Sequence, residues 1–132
     1  MPSWSSSRRG ELVACLLACL AGAAAVAAEA SKTAATGSLT ASPNPIKVCD
    51  GSGLGTTTLS WTSKGTTAVE VHVGKPDGKL FAQSGARGSE ATGNWVTGGM
   101  VFYLQDVSDK RPLTPENTLG TVTARLTTEG CR

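Results

Sequence analysis

The sequence predicts an all-β domain, an antiparallel sandwich of about seven short strands, preceded by a cleaved signal peptide. Three observations support this prediction. Apolar and polar residues alternate with a period of two over much of the chain beyond residue 38, and no helical period occurs there. Threonine is frequent after residue 30 and absent before it, and β-branched residues favour strands. Clusters of Gly, Pro, Asn, Asp and Ser separate the alternating segments at fairly regular intervals.

The length and charge of the chain exclude several classes of protein. The chain has 132 residues, and removal of a signal peptide would leave enough for one domain with one core. Together with the threonine-rich composition, this excludes a two-domain enzyme, a membrane-spanning bundle and a coiled coil. The net charge is only +2, and the basic residues are not interleaved with aromatic ones, so nucleic-acid binding is unsupported.

The first thirty residues contain the three parts of a secretory signal peptide. Arg8 and Arg9 form its positively charged end, and residues 12–28 form an apolar stretch rich in leucine and alanine. Small side chains suit cleavage after Ala28 or Ala30. A membrane anchor is the alternative, but the apolar stretch is at the short limit for a spanning helix. We therefore predict a periplasmic or secreted protein without membrane attachment once the signal peptide is removed.

These considerations divide the chain into a signal peptide at 1–30, a flexible leader at 31–37 and a β-sandwich domain at 38–132. A lipid anchor is a second alternative, because the residues before Cys15 and before Cys19 resemble the motif that precedes an acylated cysteine. The Cys15 motif has almost no apolar stretch before it. The Cys19 motif has a bulky leucine beside its small residue, so the cleaved, soluble form is the main prediction.

Two cysteines, Cys49 and Cys131, remain in the predicted mature chain. An even number of cysteines in an exported domain predicts a disulfide. A redox or metal role has little support, since no CxxC spacing exists and no histidine is near either cysteine in the sequence. We expect a structural bridge that joins the end of the domain to its beginning.

The first part of the domain predicts an interrupted edge strand. The strand that starts at Ser38 meets Pro43 and Pro45, and proline is not tolerated in a central strand because it cannot donate a backbone hydrogen bond. Residues 46–48 resume the extended chain. The glycine-rich segment 50–55 is then expected to form a turn.

The clearest alternation lies in the next two strands. Residues 57–62 place Leu59 and Trp61 on one face and hydroxyl side chains on the other, so this pair is expected in the core. Residues 69–73 alternate valine with polar residues, which is typical of a half-buried strand. Residues 74–78 combine proline, aspartate and glycine in the order that favours a hairpin turn.

The last part of the domain predicts two stronger strands and two loops. A short strand at 80–82 follows the hairpin turn, and 84–99 is expected to be a weak strand followed by an exposed loop. Residues 100–107 are apolar on both faces, which predicts a central strand. Residues 108–118 form a polar connection with two prolines, and 121–127 alternate again as the closing strand.

The domain resembles bacterial immunoglobulin-like and fibronectin-type-III domains. The sequence TLSW at 58–61, followed by VEV at 69–71, is similar to their second and third strands, and MVFYL at 100–104 is similar to their sixth. The resemblance implies a non-catalytic scaffold used for adhesion, spacing or binding. One departure is that Cys49 precedes the second strand and Cys131 follows the last, so their bridge would close the end of the sandwich instead of crossing its core.

Trp95 is the main candidate for ligand binding. It lies in a segment of glycines and small polar residues, and an indole presented there could stack on a sugar ring or an apolar ligand. Asn94 and Thr97 would then supply hydrogen bonds. The alternative is that Trp95 folds back onto a core that has few other aromatic residues.

His72 is the only histidine, and Glu70 lies two residues before it on the same strand face. A small metal protein or enzyme around this pair is one hypothesis, but a surface histidine on a sheet is the more ordinary interpretation. The glycines at 51–55 are followed by a strand, whereas a phosphate loop precedes a helix. We therefore expect no cofactor, no metal and no catalytic activity.

The functional prediction is an exported binding module. Its expected partner is a protein, met through loops or an exposed sheet edge in the periplasm or at the cell surface. A small carbohydrate-binding module that uses Trp95 is the second hypothesis, and a metal protein or enzyme around His72 is the third.

Overall fold

The computed structural model describes residues 34–132, and this part of the chain is all-β, as predicted. Nine strands occur in it, with two short 3-10 turns at Ser108–Lys110 and Pro115–Asn117. The strands are β1 (Thr36–Ser42), β2 (Ile46–Lys47), β3 (Thr58–Lys64), β4 (Val69–Val73), β5 (Lys79–Ser84), β6 (Arg87–Ala91), β7 (Val101–Asp106), β8 (Thr118–Thr123) and β9 (Leu126–Thr127).

The strands form two antiparallel sheets and one short parallel pair. One sheet has three strands in the order β1-β3-β6, and the other has four in the order β5-β4-β7-β8. β2 and β9 pair in parallel. This arrangement is consistent with a β-sandwich. β1 lies at a sheet edge and β7 lies inside its sheet, so both of these sequence predictions are confirmed.

The core contains side chains from both sheets, and the prediction for β3 is confirmed. Leu59 and Trp61 are buried, while the intervening hydroxyl residues of β3 are exposed. The indole of Trp61 lies directly against Gly88 of β6, where an added Cβ would come within 2.6 Å of the ring. Its Nε1–H donates a 2.8 Å hydrogen bond to the hydroxyl of Ser84. The buried apolar residues are Leu39, Ile46, Leu59, Trp61, Val69, Val71, Val96, Phe102, Leu104 and Ala124.

The end of β7 at Gln105 and Asp106 is also covered, because the connection after it folds back over these two residues. Gln105 is fully buried, donates from Nε2 to the carbonyl of Thr114 and accepts from the hydroxyl of Thr118. Asp106 is buried as well, and its Oδ1 accepts a 2.9 Å hydrogen bond from the N–H of Ser108. The carboxylate of Asp106 thus holds the polar connection in place.

Several boundaries differ from the sequence prediction. The closing strand predicted at 121–127 is divided into β8 and β9, and β8 pairs with β7 whereas β9 pairs with β2. β1 begins at Thr36, two residues before the predicted start of the domain, because Thr36 pairs with Lys64 at the far end of β3. The segment 84–99 contains β6 and a bridge between Val96 and Gly55, whose N–H and carbonyl groups exchange hydrogen bonds of 2.8 and 3.0 Å. Val96 is fully buried by this bridge.

The predicted bridge between Cys49 and Cys131 is confirmed, with the two Cα atoms 5.5 Å apart. It lies next to the parallel pair of β2 and β9, in which Val48 N–H donates to the carbonyl of Thr127 at 3.0 Å. A disulfide of this kind indicates an oxidising compartment.

The predictions for the signal peptide, its cleavage sites and the Cys15 and Cys19 motifs concern the segment before residue 34, outside the described residues. Within residues 34–132, no helix has the length and apolar character required to cross a bilayer.

Candidate functional site

An apolar depression lies at the end of the four-stranded sheet where the hairpin turn between β4 and β5 is located. We call it the Trp95 depression. Its volume is about 510 Å³, within the range of ligand-binding clefts. It is lined by Val73, Lys79, Leu80, Phe81, Trp95 and Met100.

A β-bulge shapes one side of the Trp95 depression. Val71 pairs with Ala82, but the next residue, His72, pairs with Leu80. Phe81 is therefore an extra residue in β5, and such a residue locally bends the strand and redirects its side chains. The bulge allows the two large side chains at 80 and 81 to line the same depression, although they are adjacent in the sequence.

Three aromatic rings connect the Trp95 depression to the core. The ring of Phe81 lies edge-on to Trp95, with centroids 5.8 Å apart, and edge-on to Phe102 at 6.0 Å. Trp95 and Phe102 are 6.2 Å apart. Phe102 has no exposed surface, so the two rings that line the depression rest on an immobile core residue.

Trp95 is packed against the core and is also partly exposed. Its indole packs against core residues through Phe102, yet 38% of the residue is exposed. Leu80 is even more accessible, at 47%. Exposed apolar residues scattered singly are ordinary, whereas these two line one concave surface.

The structure does not bring Asn94 and Thr97 into the Trp95 depression. Asn94 Oδ1 accepts a hydrogen bond from the Thr56 hydroxyl at 3.4 Å, and its side chain lines a different depression beside the Pro43–Pro45 break. Thr97 is exposed, and its carbonyl accepts from the N–H of Met100 at 3.2 Å. The predicted trio is thus divided, and Trp95 is the only one of the three that lines the apolar surface.

Lys79 is the only charged residue that lines the Trp95 depression. It starts β5, and its side chain is exposed. Within residues 34–132 it forms no ion pair. In contrast, Asp77 in the adjacent turn lies 4.0 Å from Lys75, and Glu70 lies 2.7 Å from His72. The nearby carboxylates therefore have other partners, which leaves a positive charge at the rim.

The ordinary interpretation of His72 as a surface residue is wrong, since only 4% of it is exposed. Its Nδ1 lies 2.7 Å from the carbonyl oxygen of Gly78, and its Nε2 lies 2.7 Å from Glu70 Oε1. The ring therefore ties β4 to the hairpin turn, and neither nitrogen faces solvent. Among the described residues, no three His, Cys, Asp or Glu side chains are grouped to share a metal ion.

The glycine-rich segment before β3 is a turn, as expected. Gly51 and Gly53 have φ angles of 78° and 71°, in the region that favours glycine. Hydrogen bonds from the hydroxyl and the backbone N–H of Ser52 lower the pKa of Asp50 below its ordinary value of 3.8. These bonds remain within the turn, so its carboxylate acts as a local structural group.

Sequence reasoning missed five residues of the Trp95 depression: Val73, Lys79, Leu80, Phe81 and Met100. One available signal was the Leu80-Phe81 pair itself. In a regular strand, adjacent side chains point to opposite faces, so one of two adjacent large apolar residues is expected on the solvent side.

Neither a known protein-family model, nor a curated protein sequence, nor a solved structure matches this chain.

Proposed function

We propose that this protein is an exported, non-catalytic module with an immunoglobulin-like fold, and that it binds a partner protein through the Trp95 depression. The observation that carries the proposal is the exposure of Leu80 and Trp95 on one concave apolar surface. Surfaces of this kind, with aromatic anchors and few charges at their centre, are typical of protein interfaces.

The order of the strands supports the immunoglobulin-like assignment. β3 pairs with β1 and β6, whereas β4 pairs with β5 and β7, so the chain alternates between sheets. This connectivity is similar to that of sandwiches in which one sheet contains the first, second and fifth strands. The bridge of Cys49 and Cys131 and the signal-like segment at 1–30 support export to the periplasm or beyond the cell.

The environment of His72 supports a non-catalytic role. A general base requires a ring nitrogen that can reach a substrate, and both nitrogens of His72 are directed at Gly78 and Glu70 inside the protein. The Trp95 depression contains no histidine, cysteine or carboxylate side chain. Its composition suits burial of apolar surface better than chemistry.

Site-specific photo-crosslinking in the cells that export the protein tests the proposal. A benzoyl-phenylalanine is introduced in place of Leu80, and in a control in place of Thr40, which is exposed on the outer face of β1. We expect one protein to be crosslinked from position 80, and to disappear when Trp95→Ala is added. Equal crosslinking from positions 80 and 40, or none from position 80, would contradict the proposal.

A carbohydrate-binding module is the second candidate, and the exposed indole of Trp95 is the observation that favours it. Sugar recognition also needs several hydrogen-bonding groups around the stacking ring, and Lys79 is the only polar side chain lining the depression. Acrylamide quenching separates Trp95 from the buried Trp61. Protection of Trp95 by a glycan, absent in Trp95→Phe, would favour this candidate over protein binding.

A further inference from the structure

We propose that the partner presents a segment in which a large apolar side chain is next to a carboxylate. The apolar side chain enters the Trp95 depression, and the carboxylate meets the ammonium group of Lys79. This inference rests on the proposed function and specifies the chemistry of the partner at that site.

The apolar part of the inference follows from how the Trp95 depression is built. Phe81 and Trp95 are held by Phe102, so the aromatic part of the depression exists before any ligand arrives. A preformed surface avoids the cost of ordering side chains on binding. Met100 adds a flexible, polarizable side chain that can adapt to ligands of different shape. The site thus suits a single leucine, methionine or phenylalanine side chain of the partner.

The acidic part follows from charge complementarity. Lys79 borders the apolar surface without an ion-pair partner among the described residues. Asp77 and Glu70, the carboxylates of the same hairpin, already face Lys75 and His72. A partner carboxylate beside the apolar anchor would balance the charge of Lys79, whereas a partner lysine or arginine would be repelled.

The structure argues against another mode, in which the partner adds a strand to the sheet. β5 is the edge strand of the four-stranded sheet that borders the Trp95 depression, but it begins with Lys79 and contains the bulge at Phe81. A charged residue and a bulge are the features by which natural edges prevent strand pairing. We therefore assign recognition to side chains that enter the Trp95 depression, with no continuous ladder of backbone hydrogen bonds.

The experiment selects displayed random linear peptides on the purified, disulfide-bonded protein. The same library is selected on Lys79→Gln, on Leu80→Asp and on two matched controls, Lys64→Gln and Leu54→Asp. Lys64 is exposed at the end of β3 in the other sheet, and Leu54 is exposed beside a different depression. Thermal unfolding of each variant verifies that it is folded before selection.

We expect wild-type protein and both controls to enrich peptides with a large apolar residue adjacent to Glu or Asp. Lys79→Gln should keep the apolar preference and lose the acidic one, and Leu80→Asp should enrich nothing. For a synthetic peptide of the selected sequence, replacing its Glu by Gln should weaken binding to wild type about two- to fivefold, the size expected for an exposed ion pair. The same replacement should leave binding to Lys79→Gln unchanged.

The results that would contradict the inference differ in what they overturn. Enrichment of apolar peptides with no acidic preference, or an equal acidic preference on Lys79→Gln, would overturn the role of Lys79 and leave the proposed function standing. No enrichment on wild type would overturn the inference of an apolar and acidic segment and leave the proposed function to the crosslinking test. Enrichment that is identical on wild type and Leu80→Asp would overturn both, because the selected peptides would not depend on the Trp95 depression.

Discussion

Removal of the disulfide, through Cys49→Ser combined with Cys131→Ser, should cost this domain a large part of its stability. The two cysteines are 82 positions apart. In the chain-entropy model, a closed loop of this length reduces the entropy of the unfolded chain by an amount equivalent to about 4.5 kcal/mol at 25 °C. Domains of this size have total unfolding free energies of about 5–15 kcal/mol, so the loss would be severe.

The structure indicates why other contacts would not replace the bridge. The strands next to it, β2 and β9, have two residues each. They are held to neighbouring segments by single backbone hydrogen bonds such as Ile46 N–H to the carbonyl of Arg125, at 2.7 Å. A hydrogen bond contributes a net stabilisation of about 1 kcal/mol, so the few hydrogen bonds of this short pair cannot compensate for the stabilisation that is lost with the bridge.

Urea unfolding followed by circular dichroism measures the effect. With a urea m value of about 1.5 kcal/mol/M, the midpoint of the double variant should fall by about 3 M relative to wild type. Dithiothreitol serves as an internal control, because it should lower the midpoint of wild type and leave the double variant unchanged. A midpoint for the double variant equal to that of wild type would show that the loop-entropy argument does not apply here.

Two further predictions concern local packing and charge. Gly88→Ala should destabilise the domain by about 1–3 kcal/mol in urea unfolding, since the new methyl group would press on the indole of Trp61. Gly85→Ala is the matched control and should be nearly neutral, because an added Cβ at Gly85 meets no atom within 4 Å. Ser52→Ala should raise the pKa of Asp50 toward 3.8 in an NMR titration, because the hydroxyl that favours the carboxylate is lost. Because the pKa of Asp50 is lowered in the folded state, the stability that its carboxylate contributes is present above pH 3.8 and is lost as the pH falls through the folded-state pKa. An unchanged titration of Asp50 in Ser52→Ala would contradict the role of the Ser52 hydroxyl.

The sequence was most informative where one local pattern determines the outcome. The alternation of Leu59 and Trp61 with hydroxyl residues correctly predicted which face of β3 is buried. The parity of cysteines correctly predicted the pairing of Cys49 with Cys131. In both cases the prediction needs only the chain itself, through the two-residue period of a strand or the count of available thiols.

The candidate site was harder to predict from the sequence, because it depends on the register in which β4 and β5 pair in the folded domain. The Leu80-Phe81 pair signals that one large apolar residue is exposed, but a regular pairing of β4 with β5 would not place the two side chains together. The sequence does not locate the bulge that does so. The alternation of residues 69–73 predicted that His72 faces solvent. The residue is buried instead, because the hairpin turn brings the carbonyl of Gly78 to its ring. Asn94 and Trp95 are adjacent in sequence, but they line different depressions.

The position of the disulfide also determines how the domain responds to mechanical force. When the chain is pulled at residues 34 and 132, the covalent loop from Cys49 to Cys131 cannot lengthen. Only the segment before Cys49 can be drawn out, to a length of about 50 Å, whereas the reduced chain could be drawn out to about 330 Å at the reach of an extended backbone. Reduction would therefore convert a nearly inextensible element into a long, compliant tether.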